Sequence, residues 1–358
     1  MIDFDINLFI KQAVSLKASD IHLLGGEHPQ LRIDGKILKT SLPKLDDETL
    51  AYICKSIMPA RFVDQFDDML DFDFAAEIEK VTRLRINIAR VFGHIRIVMR
   101  IIPWTIKTLE ELNIPTSIEN MLDVNNGLIL LTGATGSGKS TTIASMIDYI
   151  NKNQQKHILT IEDPIEFVYK GKKSAVSQRQ VKVDTTSFLD GIKYALRQDP
   201  DIIFIGEIRD AETLSAALNA AETGHLVFST LHTNGAVQTI NRIVNMYQPE
   251  SREFIRNQLS NVLRGIISQK LIPCKDSNGR LPACEIMINT PPIQDYINRN
   301  RLDEIRDLMK DGATSGMTTL NNSIYQLYRE DKITQEDAIY FSDNPNEIQQ
   351  MLRGVYQH

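Results

Sequence analysis

Apolar and polar positions are arranged in two different ways along this chain, and the change falls near residue 113. Before it, the pattern is that of amphipathic helices and half-buried strands. Ile6, Phe9, Ile10, Ala13 and Val14 recur at helical spacing and predict an amphipathic helix over residues 5–16. Ala18-Ser19-Asp20-Ile21-His22-Leu23 reads as a turn entering a strand. Leu31-Arg32-Ile33 and Ile37-Leu38 flank the tight-turn dipeptide Asp34-Gly35 and predict a hairpin over 30–39. Residues 46–66 read as helical with a break at Pro59. Residues 71–74 and 84–90 alternate, and a turn near Phe92-Gly93 joins the latter to 95–101, as in half-buried antiparallel strands. An α+β domain over 1–103 and a linker over 104–112 are expected.

From Asn113 onward, short continuous apolar runs alternate with helices. The runs 127–132, 157–161, 201–205 and 225–230 read as buried parallel strands. Between them, 187–198 reads as a helix stopped before Pro200, and 210–223 as a second that ends at Gly224. This alternation implies a nucleotide-binding α/β core. After Pro249 the pattern turns largely helical, over 251–269, 302–310, 319–330, 334–340 and 344–353. The second domain is therefore expected over 113–358, with a helical C-terminal part.

The first candidate chemistry lies between strand 127–132 and the apolar helical pattern that follows. Gly133-Ala134-Thr135-Gly136-Ser137-Gly138-Lys139-Ser140 fits G-x-x-x-x-G-K-[ST] without substitution, and Thr141 opens the helix. The glycines let successive backbone N–H groups turn inward as an anion-binding nest, and the helix N-terminus adds partial positive charge. Lys139 supplies a full charge to the β- and γ-phosphates, and Ser140 a hydroxyl for Mg²⁺. The expected ligands are ATP and Mg²⁺.

Further candidates stand at strand ends, where α/β folds keep their ligand sites. Glu162-Asp163 follows one strand. Ile203-Phe204-Ile205-Gly206-Glu207-Ile208-Arg209-Asp210 ends another in the position of a Walker B motif, with glycine in place of the usual aspartate. Glu207 is the expected principal catalytic carboxylate, holding Mg²⁺ through water or orienting the attacking water, and Glu162 is the second candidate. His225 and His232 bracket a third strand. Seven positions apart, they face opposite sides, which argues against a shared zinc, and His232 is read as a sensor of the γ-phosphate. Phosphoryl transfer also calls for guanidinium groups. Of Arg83, Arg85, Arg90, Arg96 and Arg100 on the first domain's strands and Arg197 and Arg209 in the second, Arg85 and Arg100 are selected as candidates.

Composition changes this picture only at its edges. The 358 residues suffice for two domains, and 42% hydrophobic content is ordinary for a globular chain. A net charge of −6 argues against a surface for unselective nucleic-acid binding, so no nucleic-acid partner is expected. Cys54, Cys274 and Cys284 form no CxxC and no close pair, which disfavours a disulfide framework or a Cys₄ zinc site. The acidic start is unlike a signal peptide, and no apolar run approaches the roughly 20 residues of a membrane span. A cytoplasmic location is expected.

With these motifs in hand, the chain resembles the secretion-type ATPases, and specifically the type IV pilus retraction ATPases of the PilT/PilU type, nearly end to end. Residues 18–23 resemble the opening of that family's PAS-like N-terminal domain, 133–141 its Walker A, 160–166 its Asp box, 205–210 its atypical Walker B with the glycine included, and 221–232 its His box. The resemblance implies a RecA-like P-loop core behind a PAS-like α+β domain, and a homohexameric ring with the nucleotide between the two domains. It implies Mg²⁺-dependent ATP hydrolysis with Glu207 in the catalytic role, and nucleotide contacts from the boxes that carry Asp163, His225 and Arg209. It also implies work at the cytoplasmic face of the inner membrane on the pilus platform protein, alongside a second retraction ATPase, with membrane contact only through the pilus machine. One stretch departs from the pattern. The retraction motif Ala-Ile-Arg-Asn-Leu-Ile is here Pro292-Ile293-Gln294-Asp295-Tyr296-Ile297, and the tail over 316–328 looks closer to the accessory, PilU-like branch. The rival readings are an assembly or secretion ATPase, whose extra N-terminal domain and tetracysteine module are missing here, and a nucleotide-gated scaffold with little hydrolysis.

Overall fold

The structure is a computed structural model that describes residues 4–33, 35–68, 70–78, 81–102, 105–276, 279–312 and 316–354. The chain divides into two compact units: residues 1–105 with 164–168, and residues 106–163 with 169–358.

In the first unit, helix α1 (Ile6–Ser15) is capped by Asp5, whose carboxylate accepts from the N–H groups of Asn7 and Leu8. Strands β1 (Asp20–Leu24), β2 (Gln30–Ile33) and β3 (Lys36–Lys39) are followed by α2 (Asp47–Ile57), capped by Asp46. Past Pro59 the helix does not resume as α; residues Ala60–Asp68 form a 3₁₀ helix, consistent with proline blocking the ladder. Asp34 and Trp104 lie outside the described residues, but β2 and β3 pair as a hairpin around Gly35, which takes φ +80°. Strands β4 (Asp71–Ile78), β5 (Thr82–Val91) and β6 (His94–Ile102) complete an antiparallel sheet of order β3-β2-β1-β6-β5-β4. Alternation puts Ile21, Leu23, Leu84, Ile86, Ile88, Ile97 and Met99 in one core with the helices. It leaves Arg85 and Arg100 directly opposite each other on the other face.

The second unit begins with α3 (Ser117–Leu122), β7 (Gly127–Thr132), α4 (Lys139–Asn153), β8 (His157–Glu162) and β9 (Ala175–Gln180). It continues through α5 (Phe188–Ala195), β10 (Ile202–Ile205), α6 (Ala211–Glu222), β11 (Leu226–Leu231), α7 (Ala236–Asn245) and α8 (Arg252–Val262). The predicted helix over 251–269 is wrong beyond Val262. Residues Leu263–Pro273 are strand β12, paired in parallel with β7, and Arg280–Ile288 is strand β13, antiparallel to β12. A short apolar run is compatible with either a buried helix or a buried strand, and here the open edge of β7 decides. Gly265 makes the approach possible: a Cβ there would lie 2.6 Å from the Met287 carbonyl. The finished sheet has the order β13-β12-β7-β11-β10-β8-β9. Strand β9 has no apolar run to announce it and pairs only at the edge. Helices α9 (Pro291–Asn298), α10 (Ile305–Asp311), α11 (Leu320–Arg329), α12 (Gln335–Phe341) and α13 (Pro345–Leu352) follow, and α11–α13 bury Leu320, Ile324, Ala338 and Ile348 against Ile272 of β12 and Ala283 of β13.

Candidate active site

Strands β7, β11, β10 and β8 run parallel and in register, so the residues that follow them emerge along one end of the sheet. That end carries the phosphate loop after Thr132, His232 after Leu231, Glu207 just past Ile205, and Glu162-Asp163 where β8 ends.

The loop owes its shape to three glycines. Gly133, Gly136 and Gly138 take φ +142°, +80° and +89°, a region closed to most L-residues. A Cβ on Gly133 would meet the Gln269 carbonyl at 2.5 Å and Ser137 Oγ at 2.6 Å, and one on Gly138 would meet Gln269 Nε2 at 2.7 Å. Gly138 caps α4 without a side-chain hydrogen bond, so the helix's first N–H groups face the loop, with Ser140 exposed and Thr141 half-exposed in the opening turn. The Lys139 ammonium is buried over the loop and donates to the carbonyls of Gly133 (2.7 Å) and Ala134 (3.0 Å). Ala134 and Thr135 form its exposed lip. The hydroxyls of Thr132 and Ser137 are buried and have no hydrogen-bond partner. A buried, unpartnered hydroxyl beside inward N–H groups and a lysine suits a phosphate.

Glu207 sits between two clamps. Gly206 N donates to the Ile161 carbonyl (2.8 Å), the Thr230 hydroxyl donates to the Gly206 carbonyl (2.7 Å), and Ile208 N donates to the Thr230 carbonyl (3.1 Å). The glycine in the Walker B position has a steric reason: a Cβ at residue 206 would press to 3.3 Å on the Ile161 carbonyl. The Glu207 side chain, 16% exposed, forms an ion pair with Arg209 and lies 3.6 Å from His232 Nε2. Its hydrogen bond raises the Arg209 pKa above the ordinary guanidinium value, against partial burial and with a further contribution from Asp163. Four of the expected residues, Glu207, Arg209, His232 and Asp163, thus form one electrostatic group. Glu162 is buried and accepts at Oε1 from the Thr160 hydroxyl (2.6 Å) and Gln178 Nε2 (3.2 Å), which makes it a fixed acceptor at the neighbouring strand end. Asp210 caps α6 through Thr213.

Three expected residues are not brought to this end within the second unit. His225 precedes β11, about 20 Å from the loop at roughly 3.3 Å per residue, and its Nδ1 contacts the Ala220 carbonyl (2.9 Å). Arg85 and Arg100 belong to the first unit, where Arg85 pairs with Glu166 (3.3 Å) and Arg100 with Asp20 (3.1 Å). Sequence reasoning missed Gln269. It lies on a strand misread as helix, yet its carboxamide donates to the Ser137 carbonyl (2.8 Å) and accepts from the Thr142 hydroxyl (2.9 Å). Among the described residues no His/Cys/Asp/Glu group of three or more could hold a metal by itself. The oxygen groups at this sheet end of the kind a divalent cation takes include the exposed Ser140 hydroxyl and the Glu207 carboxylate.

The family model described as "Type II/IV secretion system protein" matches residues 1–350. The chain belongs to that family. It is an ATPase with a RecA-like core. It is 42% identical over 334 residues to the type IV pilus retractation ATPase PilT of Pseudomonas aeruginosa, covering 93% of this chain and 97% of that one. It is 35% identical over 344 residues to the type IV pilus ATPase PilU of the same organism, covering 96% and 90%. The crystal structure of the pilus retraction motor PilT with bound ADP superposes with a TM-score of 0.89 at 44% identity, over 98% of this chain and 100% of that one. No helix among the described residues is long and apolar enough to cross a membrane.

Proposed function

We propose that this protein is a type IV pilus retraction motor: a homohexameric, Mg²⁺-dependent ATPase of the cytoplasm, working at the face of the inner membrane on the pilus platform protein. The observation that carries the reading is the Glu207–Arg209–His232 group at the same sheet end as the phosphate loop, in a chain similar along its length to retraction ATPases. Lys139 and the α4 N-terminus would bind the phosphates, Ser140 directly and Glu207 through water would hold Mg²⁺, and Glu207 would orient the attacking water and accept its proton. Bound there, Mg²⁺ would supply charge neutralisation for the phosphates. Arg85 and Arg100 belong to the first unit and His225 to the opposite end of β11, so the second unit's own sheet end does not include them.

A second reading, the accessory motor, has its own support. Gln294 donates to Asn261 Oδ1 (2.9 Å) and Asp295 pairs with Arg299 (2.9 Å), so the stretch where retraction motors carry an arginine is turned onto its own chain. Overall identity leans the other way, toward the PilT relative. One experiment tests both. The gene is expressed in a piliated strain lacking its retraction ATPases, and pilus retraction is imaged. Retraction by this protein alone makes it a principal motor. Retraction only when a principal motor is restored, with added force or rate, makes it accessory. No effect in either background sinks the retraction reading. Light scattering that shows only monomer with ATP and Mg²⁺ present removes the ring.

A further inference from the structure

Strand β12, whose sequence reads as helix, carries two neighbouring polar residues that face opposite sides of the sheet and are both buried. Ser268 Oγ accepts from Gly235 N (2.8 Å), three residues beyond His232. Gln269, 2% exposed, reaches the phosphate loop. Its two bonds are directional and different in kind. Nε2 donates to the Ser137 carbonyl (2.8 Å), which can only accept and so fixes which end of the carboxamide faces the loop, and Oε1 accepts from the Thr142 hydroxyl on α4 (2.9 Å), which anchors the other end. The bonded carbonyl belongs to the Ser137–Gly138 peptide, and Gly136 and Gly138 on either side both have positive φ. Of the two dihedrals that rotate this peptide, one belongs to Gly138, where no Cβ opposes the turn. Rotating it would turn inward a carbonyl in place of an N–H, and the anion nest would become repulsive.

We propose that Gln269 is a positioning residue for nucleotide binding: by holding the Ser137 carbonyl outward, with its other end anchored by Thr142, it keeps the phosphate loop in the shape that accepts phosphates. It does not touch the reacting atoms. Its effect is on pre-organisation, and so on ground-state affinity more than on the chemical step. The proposal rests on residues 133–141 being the phosphate loop, which ADP binding by the parent protein tests separately.

The test uses the full chain with a fluorescent ADP analogue for Kd, phosphate release for KM and kcat, and thermal melting as a check on the fold. Gln269→Leu keeps the volume and removes both bonds. Gln269→Glu keeps an acceptor for Thr142 and, while ionised, cannot donate to the carbonyl. Both should raise Kd and KM about tenfold, the size of one well-placed hydrogen bond, with kcat changed less; melting should fall, since buried partners are left unpaired, but the variants should remain folded at the assay temperature. Thr142→Val should raise Kd severalfold, while Thr142→Ser, which keeps the hydroxyl, should not. Because the two residues act through one carboxamide, Thr142→Val should add little on the Gln269→Leu background. Kd and KM within twofold of the parent in the folded Gln269 variants would overturn the proposal. So would losses that simply multiply in the double variant. If Gln269→Leu fails to fold, the Val and Ser variants at residue 142 decide alone, and equal affinity in the two is the overturning result.

Discussion

Replacing Glu207 by glutamine is the sharpest test of the site, because the geometry fixes what the change should and should not do. The amide occupies the same volume and retains one acceptor. The partner it loses, Arg209, has a side chain 70% exposed, so the ion pair contributes at most about 1 kcal/mol after solvent screening. Stability should therefore barely move. The chemistry should move a great deal. Glu207 is held by backbone clamps on either side, with Gly206 fixed by Ile161 and Thr230 and Ile208 by Thr230 again, and a pre-oriented group of this kind is worth about 10²–10³ in turnover, or roughly 3–4 kcal/mol. Nucleotide affinity should stay within a few-fold, since the phosphate loop is untouched. The measurements are phosphate release under saturating ATP, fluorescent-ADP binding and a melting curve on the same preparation. Glu162→Gln is the comparator: its Oε1 is already engaged by Thr160 and Gln178, so its loss of turnover should be the smaller. A Glu207→Gln protein that turns over ATP at near the parent rate, or a larger loss from Glu162→Gln, would show that the catalytic carboxylate has been misassigned.

Three further outcomes are expected. Lys139→Ala should weaken nucleotide binding itself, and unchanged ADP affinity would contradict the role of the loop. Gly265→Ala should destabilise by about 1–3 kcal/mol through overpacking, because its Cβ would meet the Met287 carbonyl at 2.6 Å and backbone cannot swing aside; melting lowered by several degrees checks it, and an unchanged melting point would argue against the β12–β7–β13 packing. Burial pushes the Glu285 carboxyl above the ordinary glutamate range, against its hydrogen bond from Ala236 N, so the native state holds its proton more tightly than the unfolded chain does. Stability from this group therefore falls as pH rises from the ordinary glutamate pKa through the raised one, and Glu285→Gln should gain melting temperature over the parent at pH 8 but not at pH 4; a gain independent of pH would contradict the burial.

What the sequence determined by itself was local. The phosphate loop needs a contiguous pattern of glycines, a lysine and a hydroxyl between a strand and a helix, and all of these are consecutive residues. Alternation and helical spacing likewise settled β4–β6 and α4–α6, because a residue's face follows from its neighbours. The carboxylate at 207 was legible as the polar end of an apolar strand. Other features depended on partners distant in the chain. Leu263–Pro273 is as apolar as a buried helix, and only pairing with β7, more than a hundred residues earlier, makes it a strand. Gln269 could not be seen as part of the site until that strand laid it against Ser137 and Thr142. The histidines show the same division. Spacing alone placed them at opposite ends of one strand, but parallel register with β7 and β10 decided that His232 meets Glu207 while His225 stays with the Ala220 carbonyl. Sequence carries the chemistry that neighbouring residues can make together; which distant groups share a site is set by strand order, and strand order is decided only when the sheet closes its edges.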